Sequence, residues 1–297
     1  MSKAVPSQAQ AALIGDGRRL HLSHGPIDLF IEAEGKVSCV HRAYSQAAKR
    51  FDGLLEELVS ELEHLRTPVS GLHHQLSSPV ARRMERAISD CHYKFVTPMA
   101  AVAGSVADEI LAHMKKGTHL TRAFVNNGGD IALHLAHGEK FTAGIVADVS
   151  RPEISAKAEI HGGGGIGGIA TSGWRGRSHS LGIADAVTVL AADAACADAA
   201  ATLIANAVDL PESDKIHRTP ACELSPDSDL GERLVTTGVE RLSEPEIIGA
   251  LERGKSFAEG LCGHGVIAGA FLSVQGSMET ARAGKLLEGS MLAIAAR

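Results

Sequence analysis

Asp198, Thr202 and Asn206 recur every fourth residue in a stretch that is otherwise Ala, Leu, Ile and Val. On a helix that spacing puts the three polar side chains on one face. Burying an unpaired carboxylate is costly, so Asp198 needs a partner, a metal or water. Carboxylate and hydroxyl oxygens suit a hard cation such as Mg²⁺, which keeps several waters or phosphate oxygens besides. A polar stripe satisfied by neighbouring backbone, or simply exposed, would show the same spacing. Asn126-Asn-Gly-Gly-Asp130 is the second candidate. Its Asn-Gly pair needs nothing beyond a hairpin turn, where both residues tolerate positive φ. The second Gly and Asp130 add N–H groups and an acceptor able to line a phosphate or ribose.

The run His161-Gly-Gly-Gly-Gly-Ile-Gly-Gly-Ile-Ala170 satisfies G-x-G-x-x-A, with Asp185 at a suitable distance. Its context fails, because a dinucleotide loop must open a helix. Here the turn-like Thr171-Ser-Gly-Trp-Arg-Gly-Arg-Ser178 follows, and Asp185 precedes its strand. A flexible or hairpin connection, or close backbone approach to a ligand, remains. The 15 histidines form no H-E-x-x-H pattern; His161 and His179 flank the glycine run. There is no G-x-S-x-G elbow.

Elements that could position these groups follow from periodicity. Residues 18–22 and 27–33 read as paired strands around Gly25-Pro26. Apolar positions from Phe51 to Leu65 predict one amphipathic helix over 43–65, ended before Pro68. A second helix starts at Ser78-Pro79 and runs to about Ile88. A third covers 99–114, with Thr97 as N-cap and Gly104 permitting close packing against a sheet. From Arg122 the period becomes two, with strands over 123–125, 131–135, 141–147, 153–161, 166–171 and 186–190. An Ala-rich helix over 194–208, an irregular connection over 209–240, a helix over 244–259 and a strand over 266–274 complete the pattern. The expectation is one domain over 13–297 behind a frayed tail, 1–12.

A net charge of −6 gives no overall positive field for nucleic acid. The apolar stretch 183–208 carries three Asp, and a mid-membrane Asp costs about 2.5–3.5 kcal/mol, which argues against a span. Five cysteines without a C-x-x-C pair suit a reducing, cytoplasmic compartment.

In chain order, Asn127-Gly-Gly-Asp130, Thr171-Ser-Gly173, Val187-Thr-Val189 and Ala197-Asp-Ala-x-x-Thr202 resemble the ApbE superfamily over roughly 13–274. Thr97-Pro-Met-Ala-Ala-Val-Ala-Gly104 with Val125-Asn-Asn-Gly-Gly-Asp-Ile131 is similar to an uncharacterised branch of it. The family's characterised members are Mg²⁺-dependent transferases that move FMN from FAD to a Thr or Ser of a redox protein. The resemblance implies an α+β fold related to T-fold modules, with helices packed on a largely antiparallel sheet. It implies flavin (FAD or FMN) contact at Asn127, Gly128, Gly129, Asp130, Thr171, Ser172 and Gly173. It also implies Mg²⁺ at Asp198 and Thr202, a flavin or related nucleotide as ligand, and a protein as acceptor; an oligomer stays open. Two departures stand out. Ala103 occupies the place of the lysine in the transferases' G-G-x-A-K-G segment. Their H-x-x-D-P motif is replaced by Ser178-His-Ser-Leu-Gly-Ile-Ala-Asp185, leaving His179 and Asp185 as catalytic candidates. The expectation for the site is that 127–130, 163–173 and Asp198/Thr202 converge on one cleft.

Overall fold

Alternating apolar residues at the start of the chain form a meander of three strands, β1 (Gln10–Ile14), β2 (Arg19–His24) and β3 (Ile27–Gly35). The computed structural model describes residues 8–68, 76–89, 95–147, 153–282 and 291–294, the last as backbone. Strand β1 pairs with β2 from Gln10, so residues 10–12 of the expected tail belong to a strand. The helix foreseen over 43–65 is three: α1 (Val37–Phe51), α2 (Leu54–Ser60) and α3 (Leu62–Leu65). The first break falls at Gly53, whose φ of +76° ends helical geometry. Helix α4 (Pro79–Ser89) follows as expected, and a 3₁₀ turn at Pro98–Ala101 leads into α5 (Val102–Met114). Thr97 does not cap this helix; its hydroxyl instead donates to Asp229 Oδ2 at 2.5 Å.

The period-two segment folds as β4 (Leu120–Asn127), β5 (Asp130–Leu135), β6 (Lys140–Val146), β7 (Ile154–His161), β8 (Gly168–Ser172) and β9 (Ala186–Ala191), followed by α6 (Ala194–Ala207). The stretch 209–240 is more regular than foreseen: it holds β10 (Ile216–Pro220), the short α7 (Ala221–Leu224) and β11 (Leu234–Val239), and β10 and β11 pair as a ribbon. Polar strands with irregular register hide from a simple alternation test. Helix α8 (Glu244–Gly263) is closed by a Ser243/Glu246 capping box. Strands β12 (Gly269–Val274), β13 (Ser277–Arg282) and β14 (Met291–Ile294) finish the described chain.

Nine strands form one sheet in the order β1-β2-β3-β4-β5-β8-β9-β12-β13, and β14-β7-β6 form another. Every pairing among the described strands is antiparallel. The fold is α+β. Strand β9 shows why its sequence is continuously apolar. Val187, Val189 and Ala191 pack on α6 and α8, while Leu190 meets the β6–β7 layer, so both faces are covered.

The helices lie on one face of the large sheet. Alanine fills most of the buried positions of α6. Its first turn is held tightly on two sides. A Cβ at Gly104 would lie 2.2 Å from the Ala194 carbonyl oxygen, and one at Gly168 would lie 2.1 Å from the Asp193 carbonyl carbon. Gly104 therefore serves contact with a helix rather than with the sheet anticipated from its sequence. Only glycine allows these backbones to touch.

Candidate functional site

Where the β4–β5 turn, the end of β8, the start of β9 and the first turns of α5 and α6 meet, a two-chambered cleft opens. The larger chamber, about 680 Å³, is lined by residues 126–131 and 171–173, by β6 residues 143–146, and by Asp185 and Thr188. The smaller, about 340 Å³, lies between residues 95–100, His179, Asn206 and the 225–230 loop. Six residues line both: Ala103, Asp130, Arg177, Ser178, Asp198 and Thr202. Another depression, about 690 Å³, lies over α1 and α5, but its buried charges are already matched, Arg50 Nε to Glu109 Oε1 at 2.8 Å.

The β4–β5 turn is a two-residue hairpin. Asn127 pairs with Asp130, and Gly128 and Gly129 take φ of +67° and +117°. Asn126 Oδ1 accepts the Gly129 N–H at 2.8 Å, tightening the turn. The Asn127 side chain turns inward and donates to the Ala103 carbonyl at 3.1 Å, tying the hairpin to the start of α5. Asp130 Oδ1 accepts the Thr171 N–H at 3.3 Å, and the Thr171 and Thr188 hydroxyls share a 2.8 Å hydrogen bond across β8 and β9.

Asp198 reaches across to α5, where its Oδ2 accepts the Gly104 N–H at 3.0 Å with the Ala103 N–H alongside. The relation is reciprocal. Asp108 on α5 accepts Ala194 N–H at 3.2 Å and Ala195 N–H at 2.9 Å, and Asp193 accepts Cys196 N–H at 2.8 Å. The first donors of both helices are thus satisfied within the protein. Burial raises the pKa of Asp130 to about 7 and that of Asp198 well above the carboxylate range, with the Asp130 charge adding to the latter.

The segment after β8 is braced from below. Asp185 Oδ1 accepts Trp174 Nε1 at 3.2 Å and Arg175 Nε at 3.1 Å, and its Oδ2 accepts the Gln275 N–H at 2.5 Å. This catalytic candidate is therefore buried and engaged in holding a loop. His179, the other candidate, lines the smaller chamber.

The structure brings Asn127, Gly128, Gly129, Asp130, Thr171, Ser172, Gly173, Asp198 and Thr202 together around the larger chamber. It does not bring residues 163–168 there, contrary to the convergence expected of the whole glycine-rich segment. Gly163 and Gly165 serve positive-φ turns, and Gly167 and Gly168 make room for Ala192 and Asp193 at the entry to α6. Asn206 accepts from Ser180 Oγ at 3.2 Å and Leu181 N–H at 2.9 Å, so this member of the polar stripe is satisfied locally. Sequence reading missed Arg177, which lay in a stretch read as a turn. It also missed Asp108, although a carboxylate on an apolar helix was the same signal that marked Asp198.

Among the described residues, no three His, Cys, Asp or Glu side chains cluster at metal-binding distance. No described helix is long and apolar enough to cross a membrane.

Comparison with known proteins adds the family. A UPF0280 protein of Methanothrix thermoacetophila is 44% identical over 132 residues, covering 44% of this chain and 52% of the relative. One from Methanothermobacter thermautotrophicus is 40% identical over 134 residues, covering 45% and 50%. The chain spans about half the length of these curated relatives. Among solved structures, the apo flavinyl transferase ApbE of Pseudomonas stutzeri aligns over 93% of this chain and 95% of its own, at 12% identity and a TM-score of 0.45. The ApbE protein of Thermotoga maritima aligns over 86% and 79%, at 15% identity and a TM-score of 0.38. A family described as "AbpE bacteria" matches residues 11–280, and the chain belongs to that family.

Proposed function

We propose that this chain binds a flavin nucleotide, FAD or FMN, together with Mg²⁺, and acts in phosphoester transfer or hydrolysis. The observation that carries the reading is the pair Asp130 and Asp198, enclosed at the junction of two chambers beside the Thr202 hydroxyl. Two chambers meeting at a polar waist suit a ligand of two bulky parts joined by phosphates. Burial disfavours charge on both acids, and a cation between them would stabilise their ionised forms and attract the phosphates of such a ligand.

The donor set fits Mg²⁺. Asp130, Asp198 and Thr202 offer only hard oxygens, and so few protein ligands leave room for water and phosphate oxygens, as this ion prefers. When bound, the ion would neutralise charge developing on phosphate oxygens. The chain's own groups have separate tasks. The Asn126–Gly129 bond fixes the turn that carries Asp130, and Asn127 fixes that turn to α5. His179 lines the smaller chamber and is the candidate to carry a proton there, whereas Asp185 holds the loop.

Transfer to a protein acceptor is expected to be weak. Ala103 supplies no charge where the resemblance places a lysine, and loss of one fixed donor commonly costs about 10²–10³ in rate. The purified chain should retain flavin or bind added FAD, and incubation with FAD and Mg²⁺ should release FMN or transfer it slowly. Absorbance and chromatography of the products test this. A protein that neither binds nor converts FAD would remove the reading.

A further inference from the structure

We infer that Arg177 is the phosphate-recognising cation of this cleft, an inference that rests on reading the cleft as a nucleotide site. Elimination among the donors leads to it. The helix N-termini that would otherwise receive an anion are occupied: Asp108 and Asp193 take the first N–H groups of α6, and Asp198 takes those of α5. Arg175 and Arg177 are the Arg or Lys side chains lining the two chambers. Arg175 is committed, with its Nε on Asp185 at 3.1 Å and its guanidinium 4.5 Å from the centre of the Trp174 ring. Arg177 makes no hydrogen bond or close ion pair among the described residues, and its charge acts on Asp130 across the cleft.

Its place is set by two further features. The loop before it is closed by Trp174 N–H to the Ala184 carbonyl at 3.0 Å and Gly176 N–H to the Gly173 carbonyl at 3.1 Å. Its guanidinium lies directly on the hairpin turn, so that a Cβ at Gly128 would stand 1.9 Å from Arg177 Nη2. Gly128 is favoured by its φ of +67°, and the end of the Arg177 side chain lies in the space left beside it. The planar fork of arginine matches two phosphate oxygens at once, and it projects where both chambers meet. A dinucleotide's phosphates would lie between Arg177 on one side and the carboxylate pair on the other.

The test uses the full chain and titration calorimetry with three probes in the presence of Mg²⁺: FAD, riboflavin and inorganic pyrophosphate. The native chain should bind FAD about tenfold or more tighter than riboflavin, the size expected of hydrogen bonds to a charged group. Arg177→Ala should reduce that advantage about tenfold and weaken pyrophosphate by a similar factor, while leaving riboflavin unchanged. Arg177→Lys should restore part of both. Arg177 is exposed, so the thermal midpoint should stay the same and serves as the folding control. An unchanged FAD-to-riboflavin ratio in Arg177→Ala, or a native chain that binds no phosphate-bearing probe, would overturn the inference. Arg177-dependent pyrophosphate binding without any flavin binding would uphold it and sink the flavin reading instead.

Discussion

Asp108 and Asp198 sit at two ends of the contact between α5 and α6, and each accepts N–H groups from the first turn of the other's helix. Locally they do the same work. Their surroundings differ: Asp108 is buried with both oxygens occupied, whereas Asp198 is partly accessible and lines both chambers. A capping carboxylate that also faces a cleft keeps lone pairs for a ligand; one sealed in the core does not. Access, rather than residue type or spacing, divides structure from function here.

The contact itself is the first thing to break. Gly104→Val would drive a side chain into the backbone at Ala194, where no rotamer change gives relief. It should cost about 3 kcal/mol in urea unfolding and disturb both ends together. A loss below about 1 kcal/mol would show that the helices are not so closely apposed. Next in size is the sealed end alone. Asp108→Ala leaves the Ala194 and Ala195 N–H groups without their acceptor and should cost about 2 kcal/mol, with ligand affinity unchanged in the folded fraction.

Titration sharpens the comparison further. Burial raises Asp108 from 3.8 to about 7, so between those values the folded chain holds a proton that the unfolded chain has released. This group's contribution to stability is full below 3.8 and is lost as pH rises through about 7. The stability of the native chain relative to Asp108→Asn should therefore decline across that window, as followed by unfolding at several pH values. A flat difference would mean that Asp108 is ionised throughout. The smallest effect belongs to the roof of the open end. Thr97→Val removes the hydroxyl bonded to Asp229 and should cost about 1 kcal/mol, with faster hydrogen exchange in residues 228–230.

Much of this was legible beforehand, for physical reasons. The NNGGD hairpin follows from the positive φ that its glycines permit, and α6 follows from its Ala-rich pattern ahead of Val208. The spacing of Asp198 and Thr202 gave a shared face, and the fold turned that face to the cleft. The rest depended on tertiary contacts. Nothing local distinguishes Arg175 from Arg177; Asp185, ten residues from Arg175, takes one and leaves the other. The glycines at 167 and 168 look like a ligand loop because close approach to a helix and close approach to a phosphate demand the same missing side chain. Thr97 had the sequence of a cap, but Asp229, far along the chain, claimed its hydroxyl.

In the proposed reading, Asp130, Asp198 and Thr202 hold the cation that admits a flavin nucleotide. The most direct test of that reading is FAD affinity with Mg²⁺ and with a chelator, in the native chain and in Thr202→Val and Asp130→Asn. Thr202→Val keeps the side chain's shape, and Asp130→Asn keeps its carbonyl for the Thr171 N–H, so both should fold. The account predicts that Mg²⁺ tightens FAD binding to the native chain about tenfold or more, and that each variant loses most of that gain. Equal FAD affinity with and without the metal, or an undiminished Mg²⁺ effect in both variants, would contradict it.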